Sequence, residues 1–161
     1  GGECVEQPVR KRNRLPAFDY GSPGYYFITI CTKGKECLFW EHNGLTGNQP
    51  LLSSVGRIVR ESIMDIPRHY PAIRVDQFNV MPNHVHLILE ITELTHADIP
   101  TIIGQLKRAA SKSAGFPIWQ RSYHDHVIRG DDDYQKIWEY VAYNHLKWQT
   151  DCFYIPPEPN D

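Results

Sequence analysis

No stretch of the chain approaches the roughly 18 consecutive apolar residues of a membrane-spanning helix. No positively charged n-region followed by an apolar h-region marks a secretory leader. Cysteine is sparse. Cys4, Cys31, Cys37 and Cys152 are scattered and none forms a C-x-x-C pair, which excludes a zinc knuckle and a dithiol redox motif. Scattered thiols without a leader fit a reducing compartment, so the expected location is cytoplasmic, with no membrane partner. An excess of one charge is also missing: 17 Lys and Arg face 19 Asp and Glu, a formal net charge of −2. That balance argues against a bulk polyanion binder, so any nucleic-acid contact has to come from local basic patches. There is no internal repeat.

What is present is enough apolar material for a core. Of 161 residues 41% are hydrophobic and 22% charged, which fits a single domain over 1–161. Residues 1–20 read as a basic arm, where Arg10, Lys11, Arg12 and Arg14 place four positive charges in five residues. Residues 150–161 read as a tail, because Ile155-Pro156-Pro157-Glu158-Pro159 cannot hold regular structure.

Periodicity supplies the elements between. Tyr25–Ile30 is aromatic and β-branched and opens after a Ser22-Pro23-Gly24 turn, the signature of a strand. Lys33–Pro50 reads as a loop with a small hairpin. Val55, Ile58, Val59, Ser62, Ile63 and Ile66 recur at three- and four-residue spacing, predicting a helix from about Ser54 to Pro67. Ser53 or Ser54 caps it and Pro67 helps stop it. Ile73–Val80 and His84–Ile91 form two strands around a Met81-Pro82-Asn83 turn. Asp98 caps a helix with Ile99, Ile102, Ile103, Leu106 and Ala110 on one face, and Lys107, Arg108 and Lys112 on the other. A fourth strand falls near His126-Val127-Ile128, and Gly130-Asp131-Asp132-Asp133 starts a last helix running to about Trp148. The order β-α-β-β-α-β-α is an α+β, ferredoxin-like split βαβ pattern: an antiparallel sheet with an added C-terminal helix.

Three constellations carry chemistry. On a strand, residues i and i+2 share a face, so His84 and His86 are close enough to hold one metal ion while Val85 and Leu87 anchor the other side. With eight histidines, a chance His-x-His is expected about 0.4 times, and His124-Asp125-His126 is a second instance, so buried strand histidines are the competing reading. Tyr140 and Asn144, at i and i+4, share a helical face where a phenol can be a nucleophile and an amide can reach a metal or phosphate. The pattern gives Tyr140 no privilege over Tyr134 or Tyr143. The basic material is the arm and the Lys107/Arg108/Lys112 face, which can neutralise phosphates, with Tyr25, Tyr26, Trp119 and Tyr123 available to stack unpaired bases.

Together these residues resemble a known family. Met81-Pro82-Asn83-His84-Val85-His86-Leu87 is similar to the His-hydrophobe-His signature of HUH endonucleases. Trp119 to Arg129 resembles the Trp-Gln-x-x-Tyr/Phe-x-x-His-x-Ile-Arg block of the REP-associated tyrosine transposases, and Glu139–Trp148 resembles their terminal helix block. The likeness extends back through Asn13-Arg14-Leu15 and Tyr25–Thr32, covering nearly the whole chain.

The resemblance implies a transposase or endonuclease that cuts and rejoins single-stranded DNA, with hairpin-containing repeats as substrate, through a 5′-phosphotyrosine. It implies Mg2+ or Mn2+ on His84 and His86, Asn144 as a further ligand, Tyr140 as nucleophile and His126 in support behind the ligands. Arg10, Lys11, Arg12, Arg14, Lys107, Arg108, Lys112, Arg121 and Tyr123 are the expected DNA contacts, and the chain acts as a monomer or homodimer. One position departs from the pattern: His145 stands where relatives carry proline, which leaves open whether it replaces or assists Asn144. Two other readings compete. One is a domesticated DNA-binding module without strand transfer. The other is a metal-dependent phosphohydrolase using both His-x-His pairs.

Overall fold

The computed structural model describes residues 19–150, apart from the side chains of residues 42–44, 46, 149 and 150. Strand β1 (Gly24–Cys31) leads through a 3-10 turn at Lys33–Lys35 to a hairpin of β2 (Trp40–Thr46) and β3 (Gln49–Leu52). Helices α1 (Ser54–Met64) and α2 (Ile66–His69) follow, then β4 (Ile73–Val80), β5 (His84–Ile91), α3 (Ile99–Ala114), β6 (His124–Val127) and α4 (Gly130–Tyr143). The main sheet has the order β4-β5-β1-β6 with every neighbour antiparallel, which is the ferredoxin-like arrangement the element order predicts.

Each central strand is divided by its two-residue period. Tyr26, Ile28 and Ile30 of β1 and Val85, Leu87 and Leu89 of β5 join Val59 and Ile63 of α1 and Ile102, Ile103 and Leu106 of α3 in the larger core. Full burial of each such aliphatic side chain contributes about 1.5–3 kcal/mol. The opposite face carries a much smaller cluster: Phe27 and Ile88 from the sheet, Ile137 and Val141 from α4. Helix α4 is therefore anchored by only two buried apolar side chains of its own.

Several boundaries differ from the sequence expectation, each for a local reason. Helix α1 ends at Met64 with Asp65 as its C-cap, and Pro67 sits in the first turn of α2, where its missing N–H is harmless, instead of stopping α1. Ser53 is the cap: its side chain accepts from the Gly56 N–H at 3.0 Å. The expected loop is mostly hairpin. Strand β6 begins two residues early, at His124. The last helix stops at Tyr143 and tightens into a 3-10 segment, Asn144–Thr150, that is broken at Lys147, so no regular helix reaches Trp148. The basic arm at 10–14 and the proline-rich tail lie outside the described residues.

The hairpin is fastened to the first helix by a close backbone approach. Ser53 N–H donates to the Phe39 carbonyl at 2.8 Å and Phe39 N–H to the Pro82 carbonyl at 3.0 Å. A Cβ on Gly56 would meet that Phe39 oxygen at 2.1 Å. Gly56→Ala is expected to lower stability by about 1–3 kcal/mol through overpacking against rigid backbone. Urea unfolding reads this directly, and an unchanged midpoint would show that the hairpin can slide off α1 at no cost.

Candidate active site

The sheet face under α4 concentrates polar side chains. Asn79 pairs with His86 across β4–β5, Thr29 with His86 across β1–β5, and Thr29 with His124 across β1–β6, giving one lateral row. His84 lies one step along β5, opposite Cys31. Both His84 and His86 are fully buried.

Their rings are held from behind. His84 Nδ1 lies 2.8 Å from Asn83 Oδ1, an oxygen that only accepts, so Nδ1 carries the proton and Nε2 the lone pair. Asn83 is itself oriented by donating from Nδ2 to the Lys35 carbonyl at 3.2 Å. Lys35 is the one described non-glycine residue at positive φ, 57°, a backbone conformation that costs energy and holds that carbonyl in place. His86 Nδ1 lies 2.9 Å from Thr29 Oγ1. With both Nδ1 atoms engaged, the Nε2 atoms converge at 3.1 Å. Two ligands each about 2.0–2.1 Å from one ion lie about 3 Å apart when they occupy neighbouring positions around it. Burial, with the nearby Lys35 charge, lowers the His84 pKa from 6.5 to about 3, so its imidazole is neutral, the form that ligates metal. These residues fit a divalent ion. Among the described residues no group of three His, Cys, Asp or Glu side chains is placed to hold one.

Two aromatic rings border the pair. The Tyr140 ring centroid is 5.2 Å from that of His86 and meets Phe27 edge-on at 6.3 Å. Trp148, on the 3-10 continuation of α4, lies 6.2 Å from His84. Asn144, one turn beyond Tyr140, is buried at the end of α4. The structure thus separates three tyrosines that residue pattern alone left equivalent. Tyr134 donates to Asp76 Oδ2 at 2.6 Å, and this bond, then burial, pushes its pKa up to about 12. Tyr143 is exposed. Tyr140 alone of the three is packed on a histidine of the pair.

Other expected residues fall differently. His126 donates to Asp133 Oδ2 at 2.9 Å, and the same oxygen accepts the Arg129 N–H at 3.0 Å. Burial works to raise the Asp133 pKa, but these two hydrogen bonds outweigh it and hold it low. His126 therefore supports the start of α4, not the ligands. The second His-x-His pair is separated from the first by β1, two strand spacings or about 10 Å, so the two pairs do not converge. Lys107 is half-buried and donates to the carbonyls of Gln120 and Arg121 at 2.9 and 3.0 Å, a brace for that segment in place of an outward phosphate contact. Tyr26 is buried with its hydroxyl on the Ser22 carbonyl and Trp119 is buried against Phe39, so neither is a base-stacking platform, while Tyr123 is partly buried against the core. Arg108, Lys112 and Arg121 are exposed and meet at one groove, joined by Phe116, an exposed aromatic that no sequence pattern singles out. Thr29 and Asn83 are equally unmarked in the sequence. Asn83 reads as a turn residue, and Thr29 gains its role only through strand pairing.

No protein-family model matches the chain. It is 34% identical to an uncharacterized protein of Haemophilus influenzae, over 91% of this chain and 93% of that one. It is 26% identical to the REP-associated tyrosine transposase of Escherichia coli, over 80% of this chain and 70% of that one. The solved structure of a REP-associated tyrosine transposase bound to a REP hairpin superposes with a TM-score of 0.63, covering 86% of this chain and 76% of that one at 21% identity, a likeness of fold. In sequence and in fold the chain is thus similar to REP-associated tyrosine transposases. As in the transposase fold it matches, the four-stranded antiparallel sheet is flanked by helices. Among the described residues no helix is long and apolar enough to cross a membrane.

The buried, neutral His84 makes a pH prediction for this chain. Between pH 6.5 and about 3 the unfolded chain binds a proton at this site that the folded chain does not. Its contribution to stability is therefore present above pH 6.5 and lost as pH falls toward 3. The urea midpoint of wild type is expected to fall more steeply over that range than that of His84→Gln. Parallel slopes would show that His84 is not neutral in the fold.

Proposed function

We propose that the chain cleaves and rejoins single-stranded DNA, with Tyr140 as nucleophile. The observation that carries this reading is the seating of Tyr140 on His86, within one chain, beside two Nε2 atoms 3.1 Å apart. A single copy then supplies both halves of the site.

The phenol oxygen of Tyr140 forms a bond to phosphorus, and the bond from phosphorus to the 3′ oxygen breaks. The phenol gives up its proton and the departing 3′ oxygen takes one up, leaving a 5′-phosphotyrosine and a free 3′ hydroxyl. Reversal by that hydroxyl, or by another, rejoins DNA with no external energy source, which suits a transposase better than a hydrolase. Magnesium or manganese, held by His84 and His86 with Asn144 as a further candidate, would supply Lewis-acid polarisation of the scissile phosphate. Asn83 and Thr29 keep the imidazoles aimed, and Phe27 and Trp148 flank the pair and the tyrosine with apolar surface.

The DNA path follows from charge. The end of α3 and residues 115–121 enclose an open groove of about 560 Å³, lined by Arg108, Lys112 and Arg121 around Phe116, with no carboxylate in its lining. Gln120 N–H donates to the Cys31 carbonyl at 3.0 Å, and Cys31 is the strand neighbour of His84, so the groove wall is one strand from the metal pair. Hairpin DNA, which the REP-associated tyrosine transposase of known structure binds, is the proposed substrate. A domesticated module that binds hairpins without cutting them is the second reading.

The test is a hairpin with a single-stranded flank, labelled on the 3′ side of the scissile phosphate, incubated with manganese. Wild type is expected to form a covalent adduct and Tyr140→Phe none. An adduct in Tyr140→Phe would remove the assignment, and hairpin binding by wild type without cleavage would favour the domesticated module. Arg108→Ala with Lys112→Ala should weaken binding across all sequences and reduce the salt slope by about 1 for each phosphate no longer neutralised. An unchanged salt slope would place the backbone elsewhere.

A further inference from the structure

We infer that Asn79 and His145 are positioning residues that hold the Tyr140 end of α4 against His86. The inference rests on the reading of Tyr140 as nucleophile only for its catalytic consequence; the positioning itself stands on geometry.

An apolar contact has no preferred direction, and α4 fully buries only Ile137 and Val141, with Trp138 and Tyr140 packed partly buried against the same cluster. Its orientation is set by directional bonds. The first turns of the helix are tied by Asp133 to His126 and by the adjacent Tyr134 to Asp76. The end that carries Tyr140 has a different tie. Asn79 Nδ2 donates to the Val141 carbonyl at 2.9 Å, the residue directly after Tyr140. The last four carbonyls of a helix have no partner within it, and Val141 is among the last four here. Asn79 is also the strand partner of His86. One rung of the β4–β5 ladder therefore fixes His86 and, through a single side chain, the helix turn that presents Tyr140 to it.

His145 completes the device. Its Nδ1 lies 2.8 Å from Asn79 Nδ2, a group that only donates, so Nδ1 accepts and Nε2 carries the proton. That Nε2 donates to the Asn48 carbonyl, in the turn of the β2–β3 hairpin, at 2.9 Å. Both hydrogens of the Asn79 amide are thus assigned, one to Val141 and one to His145, which fixes the amide against rotation. Both nitrogens of His145 are committed, so it is not a metal ligand.

A misplacement of about 1 Å at a reacting group costs about 100-fold in rate. Asn79→Ala and His145→Leu are expected to slow adduct formation at saturating hairpin by tenfold or more with hairpin affinity unchanged. His145→Gln, whose amide has both an acceptor and a donor, should restore the rate to within a few-fold of wild type. The positioning is read without activity from the NMR resonances of the His86 ring, which lies against Tyr140, with Tyr140→Ala as the reference for a displaced tyrosine. Movement toward that reference in Asn79→Ala and His145→Leu, but not in His145→Gln, is expected. If the His86 resonances stay at their wild-type positions in both variants, the inference is wrong whatever the activity. If they move while wild type forms no adduct, the positioning holds and the nucleophile reading fails. Should Asn79→Ala not fold, the His145→Leu and His145→Gln pair decides alone.

Discussion

The placement of every candidate group depends on the division of β5 into two faces. Val85, Leu87 and Leu89 are buried in the larger core, and that burial fixes the strand's register and its rotation. A one-residue slip would turn all three outward and both histidines into the apolar layer. The hydrophobic effect thus holds the imidazoles in place without touching them. Directional bonds from Asn83 and Thr29 then settle the ring orientation, which burial alone cannot do. Taking His84 out of water has an electrostatic consequence of its own: the ring stays neutral well below the usual histidine range, with its ligating lone pair retained.

Helix α4 shows the opposite balance. Its apolar contact is small, and its position comes from two adjacent ties near its start and one at its end, each reaching a different strand position: β6, β4 at the Asp76 bulge, and β4 beside His86. Polar ties are individually modest, about 0.5–1.5 kcal/mol net, but they have direction. On the proposed reading this suits a helix that has to present one phenol oxygen to one phosphorus. The same reasoning accounts for His145, which looks like an extra ligand when only its sequence neighbour Asn144 is considered.

The charge distribution follows the same division of labour. A net charge of −2 gives no general attraction to DNA. The groove beside α3 carries three exposed cations and no acid, while three of the four acidic residues of α4 gather in its first turn, where the helix dipole favours them. Segregation of this kind allows a nearly neutral chain to offer a local phosphate track.

The sequence by itself determined the element order, the ferredoxin-like class, the shared face of His84 and His86 and the resemblance to a family. All of these are properties of local periodicity and short motifs, and they survive because each face of a strand or helix is buried or exposed as a unit. Residue pattern alone did not determine which tyrosine meets the histidines, and only the resemblance singled out Tyr140, because Tyr134, Tyr140 and Tyr143 differ only in what distant strands place beneath them. Nor did it reveal that Lys107 is a brace, that Tyr26 and Trp119 are core, or that Thr29 stands behind His86. Those roles arise from strand pairing between residues tens of positions apart. Tertiary structure decided them, and with them the meaning of His84-Val85-His86: a strand face that becomes a candidate centre only where α4 is held over it.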